Sequence, residues 1–246
     1  MTKVRLHFLD TLRGWTLLNM IAYHGLWNLV HLYGVKLDWY WGTWGYVWQQ
    51  SICWIFILLS GFCWSMSRSH WKRGLLIFGG GLLVSVVTYV AMPKASITFG
   101  ILTFLGSAVL LMIPLEKGLR NIPAVPGLLA SSMSFCLLRN VGGGTFGFEN
   151  LVLGRVPSGL YRNLLTAYIG FPGKDFHSTD YFPLLPWMGL FLVGCFLYRI
   201  LHSRGWDVRF FGKGNIPGLS FLGRHSLLIY LLHQPILYGG MALWFR

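Results

Sequence analysis

The 246-residue chain is 54% hydrophobic and only 11% charged, where a soluble domain would carry about 25% charge. That deficit excludes a water-soluble globule and leaves one compact membrane domain over residues 1–246. The net charge of +13 does not gather into a nucleic-acid stripe, because the basic residues sit mostly between apolar stretches, so no nucleic acid is expected as a partner.

A hydrocarbon core about 30 Å thick needs roughly 20 mainly apolar residues per helix. Seven stretches fit, near residues 14–33, 46–66, 73–92, 97–114, 124–140, 182–201 and 223–244. The expected fold is therefore all-α, a polytopic transmembrane helical bundle of about seven spans. The first apolar run has no small-residue cleavage site and carries Asp10 and Arg13 where it begins, so it reads as a retained span and not a signal peptide. The fifth is the weakest, opened by Pro123 and Pro126 and diluted by Ser131, Ser132 and Ser134.

Placing the N-terminus in the cytoplasm puts 13 of the 20 bases on the inner side, among them Lys3, Arg5, Arg13, Arg68 and Arg224. Seven fall outside, among them Arg139, Arg155, Arg162 and Arg246. The bias follows the positive-inside rule. The longest outer stretch, 141–181, opens with Gly142, Gly143 and Gly144 and is expected to be flexible there. Its apolar middle, Leu160 to Phe171, reads as an interfacial or re-entrant helix, with an eighth span as the alternative. Trp39, Trp41, Trp44 and Trp48 cluster at the predicted outer boundary. An aromatic belt accounts for them, and a sugar-stacking platform is the functional alternative.

Ionisable groups at membrane depth face a bundle interior or a cavity. His24 lies in the first span, and helical spacing puts Met20, His24, Asn28 and His31 on one face with Trp27 beside them. An imidazole there can serve as a general base near neutral pH, its ordinary pKa being about 6.5. An interhelical hydrogen bond is the plainer alternative. His233 stands mid-way along the last span, followed by Gln234 and Pro235, where a proline kink can open a cavity. Asp10 and Arg13 are three apart and can pair on one helix face, or the arginine can grip an anionic cofactor. Asp180 opens Asp-Tyr-Phe-Pro-Leu-Leu-Pro-Trp187, as a helix N-cap or as a group that orients a histidine. Cys53, Cys63, Cys136 and Cys195 lie in apolar stretches without metal-ligand spacing. They read as small buried hydrophobes, and no metal is expected.

Four segments carry a family resemblance. They are Arg5-Leu-His-Phe-Leu-Asp10-Thr-Leu-Arg13-Gly14 leading on to His24, then Phe56-Ile-Leu-Leu-Ser-Gly61, then Asp180 to Trp187, and finally Phe221-Leu-Gly-Arg224-His-Ser-Leu-Leu-Ile-Tyr-Leu-Leu-His233-Gln-Pro-Ile236. Together they resemble the catalytic domain of heparan-alpha-glucosaminide N-acetyltransferase and, more closely, its short bacterial relatives. The resemblance implies a transmembrane acyltransferase that moves an acetyl group from acetyl-CoA to a saccharide or other amine or hydroxyl acceptor across the membrane. It implies a multi-pass protein of the bacterial inner (cell) membrane. The animal enzyme looks to carry an asparagine where His24 stands, so the role of His24 rests on its chemistry and on the short bacterial pattern.

On that reading His24, Asp180 and His233 form the catalytic set. Asp10, Arg13 and Arg224 meet the CoA moiety, and Trp27, Asn28 and Trp187 meet the acceptor. The partners expected are the lipid bilayer, acyl-CoA and the acceptor, with a homodimer left open. A proton-coupled transporter or flippase, with His24 and His233 as a relay, is the alternative function. A scaffold with purely structural histidines is a third.

Overall fold

The computed structural model describes residues 6–67 and 69–245. Lys3, Arg5, Arg68 and Arg246, which contribute to the charge bias, lie outside them. In chain order the helices are α1 (His7–His31), a short α2 (Asp38–Trp41), α3 (Thr43–Trp64), α4 (His70–Ala91), α5 (Ile101–Leu119), α6 (Ala124–Leu138), a six-residue α7 (Leu164–Ile169), α8 (Leu184–Ser203), α9 (Trp206–Phe211), α10 (Pro217–Arg224) and α11 (Ser226–Trp244). Two strands, β1 (Thr145–Phe148) and β2 (Leu151–Arg155), lie between α6 and α7. The protein is an all-α, polytopic helical bundle with one added hairpin.

Among the described residues six helices are long and apolar enough to cross a membrane. They are α3, α4, α5, α8, α11, and α6 with the turn that carries it on to Gly143. α1 has 25 residues, roughly 37 Å at 1.5 Å per residue. It has the length but falls short in apolarity, because Asp10, Arg13, Asn19, His24, Asn28 and His31 lie along it. The stretch 160–171 holds only α7, about 9 Å long and too short to span.

The segment before α7 departs from an all-helical reading. The glycine run expected to be flexible takes the form of a 3-10 turn over Val141–Gly143, closed by Gly144 at φ +85°. β1 and β2 then pair antiparallel, with a bulge between Phe146 and Gly147. Gly147 has φ +137°, and a Cβ there would sit 1.9 Å from the Leu151 carbonyl oxygen, so only glycine fits.

The chain divides into two compact units, residues 1–56 with 201–246, and residues 57–200. In the first, α1 crosses α10 at backbone contact. A Cβ on Gly14 would meet the Leu219 carbonyl oxygen at 1.9 Å, and one on Gly223 would meet that of Asp10 at 1.9 Å. Small residues let two helices approach this closely, and the polar groups between them then bond across the seam. Thr11 and Ser220 share a hydroxyl hydrogen bond of 2.8 Å, and the Thr11 hydroxyl also accepts from the Ile216 N–H at 3.2 Å. Above this seam Leu17, Met20 and Ile52 form a buried core with Trp48, Phe56, Leu222 and Ile229 around it.

In the second unit the same device joins α3 to α8, where Gly61 abuts the Phe191 carbonyl and Gly194 that of Leu58. Cys195, the buried cysteine, donates its thiol to the Gly61 carbonyl at 3.1 Å. Cys136 departs from the expectation of burial and lies exposed on α6.

Candidate functional site

The first unit brings α1 and α11 together along a polar line. The rings of His24 and His233 lie 4.9 Å apart, centroid to centroid, and are tilted by 54°. One helical turn further on, Asn28 and Gln234 exchange amide hydrogen bonds. The Asn28 Nδ2 donates to Gln234 Oε1 at 3.1 Å, and the Gln234 Nε2 donates to Asn28 Oδ1 at 3.4 Å. Asn28 is 1% exposed, so its amide is satisfied inside the protein. Helical spacing on α1 explains the alignment of His24 with Asn28.

His233 is 7% exposed, and its tautomer follows from its surroundings. Its Nδ1 lies 2.5 Å from the Tyr230 carbonyl oxygen. A carbonyl only accepts, so Nδ1 carries the proton. In the neutral ring Nε2 is then a bare lone pair. That Nε2 is buried and has no hydrogen-bond partner. A buried acceptor in this state can take a proton from a bound group or from His24. Pro235 stands inside α11 two residues on, where it removes one helical N–H.

Around this pair the rings continue without a break. Tyr23 meets His24 edge-on at 6.2 Å and stacks on Tyr40 of α2 at 5.2 Å. Trp48 meets Tyr23 at 5.5 Å and donates its indole N–H to Asn19 at 3.0 Å. Trp27 stacks on His31 at 4.4 Å, and the His31 Nδ1–H donates to the Trp27 carbonyl at 3.0 Å. His31 in turn lies 5.0 Å from Trp41. Trp39, Trp41 and Trp44 are exposed, as an aromatic belt requires. Tyr40 is 5% exposed, and its hydroxyl is paired with that of Tyr23.

The other candidates sit as follows. Asp10 and Arg13 pair at 3.7 Å on α1. Arg224 is exposed at the last turn of α10. Asp180 and Trp187 belong to the second unit. The Asp180 Oδ2 accepts from the Ile101 N–H at 3.2 Å, so the carboxylate caps α5 and not its own helix. Burial pushes the Asp180 carboxyl up to about 6, and the Ile101 N–H opposes that shift. Trp187 is buried between Phe135 and Phe182 with the Arg139 guanidinium over its ring at 4.8 Å.

Tyr23, Tyr40 and the Tyr230 carbonyl were not singled out by the sequence. Tyr23 adjoins His24, and Tyr40 sits inside the tryptophan cluster, but only the fold stacks one on the other. Among the described residues no group of three or more His, Cys, Asp or Glu is placed to hold a metal ion.

No characterised protein and no solved structure gives a significant match to the chain. The family comparison does. Residues 5–235 match the heparan-alpha-glucosaminide N-acetyltransferase catalytic family, and the match takes in α1, α10 and the His233 face of α11, so the chain belongs to that family.

Proposed function

We propose that the protein is a membrane acetyltransferase that moves the acetyl group of acetyl-CoA to an amine or hydroxyl acceptor, a saccharide being the class the family name suggests. The observation that carries the reading is the pairing of His24 with a buried His233 whose Nε2 lone pair has no partner. The family match gives that pair a reaction to serve. A bacterial cell membrane is the setting proposed.

The step balances simply. The acceptor nitrogen or oxygen attacks the thioester carbonyl carbon, and the C–S bond breaks. The acceptor's proton passes to His24, and the sulfur leaves as a thiolate that takes a proton back. At 4.9 Å the two rings are close enough, after rotation, for an N–H of a protonated His24 to reach the His233 lone pair. His233 would thus stabilise the imidazolium, with the Tyr230 carbonyl holding its other nitrogen. Arg13, positioned by Asp10, and Arg224 are the bases proposed to meet the CoA phosphates.

The test is transfer of labelled acetyl from acetyl-CoA to glucosamine by the purified, reconstituted protein. Turnover that falls about 10²–10⁴-fold in His24→Ala and His233→Ala supports the reading. Absence of transfer and of acetyl-CoA binding in the unaltered protein overturns it. Solute flux in proteoliposomes without acyl consumption would instead favour a proton-coupled transporter.

A further inference from the structure

Of the 19 residues of α11 only His233 is buried, so this helix packs on its neighbours along a narrow line. The seam between α1 and α10 is closed by backbone contact at Gly14 and Gly223, but the one between α1 and α11 is looser. A Cβ on Gly25 of α1 would meet the Met241 Cε at 3.8 Å and the Leu237 Cδ2 at 3.9 Å, the ends of flexible side chains at ordinary contact distance. Pro235 also removes the N–H that would bond the Leu231 carbonyl, so the backbone of α11 is less constrained just beside His233. From Ser226, where α11 begins, to His233 is about 10 Å of helix at 1.5 Å per residue. A splay of about 6° therefore moves His233 by about 1 Å, and misplacement on that scale can cost about 10²-fold in rate.

Against this loose packing stands the amide pair of Asn28 and Gln234, bonded in both directions at 3.1 and 3.4 Å. Asn28 lies one turn from His24 and is 1% exposed, and Gln234 follows His233 directly. Two apolar side chains could fill the same place without desolvating two amides. What a polar pair inside an apolar seam adds is register, because a slip of one helix along the other leaves both amides unpaired.

We propose that Asn28 and Gln234 are positioning residues for the acetyl transfer. Their amide pair sets the register and tilt of α11 on α1, and so keeps the His233 Nε2 within reach of His24. This deepens the acyl-transfer reading and rests on it. It gives Asn28 a different part from the acceptor contact expected of it, because its amide oxygen and nitrogen both bond Gln234. The pair acts through the two imidazoles, so its loss falls on kcat and leaves both substrates' KM in place.

The test is steady-state transfer from acetyl-CoA to glucosamine by the full-length reconstituted protein, with kcat expressed per monodisperse molecule. Gln234→Ala lowers kcat about 10- to 10²-fold, and the KM for each substrate stays within about twofold. Gln234→Met keeps the length of the side chain, removes both bonds and shows the same split, so the result does not hang on one variant's folding. In a His233→Ala background either substitution costs less than about twofold in kcat, since no second imidazole remains to be placed. A kcat that Gln234→Ala and Gln234→Met leave unchanged overturns the proposal. So does a fall of equal size with and without His233, which would mean that the amides support the fold and not the histidine pair. If the unaltered protein transfers nothing, the acyl-transfer reading fails and takes this one with it. If it turns over and the Gln234 variants keep its kcat, only the positioning role fails.

Discussion

His24 and His233 meet at 4.9 Å, and the Tyr230 carbonyl fixes which nitrogen of His233 bears its proton. This relationship makes the two imidazoles inequivalent. With Nδ1–H donating to that carbonyl, His233 has only Nε2 to offer His24, and there it can only accept, whereas no such bond fixes the tautomer of His24. Groups that work as a unit give non-additive losses when removed. The double variant His24→Ala/His233→Ala should therefore lie within about tenfold of the poorer single variant in acetyl transfer. Losses that multiply would show that the two histidines act independently and would remove the relay from the mechanism.

The amide pair beside them gives a stability test. Asn28→Ala leaves the Gln234 amide facing a gap, and Asn28 is 1% exposed, so water cannot readily replace the partner. The expected cost is about 1–3 kcal/mol for the orphaned group. The coupling energy from a double-mutant cycle with Gln234→Ala should be smaller, about 0.5–1.7 kcal/mol, as for other interhelical bonds in membranes. Thermal melts in one detergent across the four proteins would measure both. A cycle that closes at zero means that the two amides do not hold α1 to α11.

The sequence exposed some of this and hid the rest for identifiable reasons. The long helices were legible because each needs an apolar stretch of about 20 residues, and hydropathy reports that directly. The common face of His24 and Asn28 was legible from helical spacing alone. The meeting of His24 with His233 was not, because it joins opposite ends of the chain through packing that no local pattern encodes. The hairpin was missed because its strands have only four and five residues and are interrupted by Gly147 and Gly154. Asp180 looked like a cap, which it is, but the helix it caps begins at Ile101. Thr11 and Gly14 entered the sequence reading only as members of the family-like segment Arg5–Gly14. The fold gives Thr11 and Gly14 a packing role against Ser220 and Leu219.

That packing role has a sharp consequence. A methyl on Gly14 would lie 1.9 Å from a backbone carbonyl that cannot swing aside, so Gly14→Ala must separate α1 from α10. The cost should reach at least about 3 kcal/mol, at the upper end for overpacking. Gly218→Ala, in the same short helix α10, meets nothing within 4 Å and should be neutral or stabilising by up to about 1 kcal/mol. Monodisperse yield and melting temperature separate the two. Equal behaviour would show that α1 and α10 are not in backbone contact.

Asp180 supplies a pH test outside the spans. Burial raises its carboxyl from 3.8 to about 6, while the Ile101 N–H holds it down in part. A carboxyl raised in the folded state binds its proton more tightly there than in the unfolded chain. Its contribution to stability is therefore fully present below about pH 4 and is lost as pH rises to about 6, after which it changes no further. The loss is on the order of 3 kcal/mol at most, at about 1.4 kcal/mol per pKa unit. Asp180→Asn keeps an oxygen for the Ile101 N–H and removes the titration. Melting temperatures of the unaltered protein should fall relative to Asp180→Asn between pH 4 and 6.5, and the two curves should run parallel above that. At pH 7.5 the variant should be at least as stable, since it no longer buries a charge. Parallel curves across the whole range would mean that the carboxylate is already ionised at pH 4. In that case the N-terminal end of α5, whose free N–H groups favour an anion, outweighs the burial.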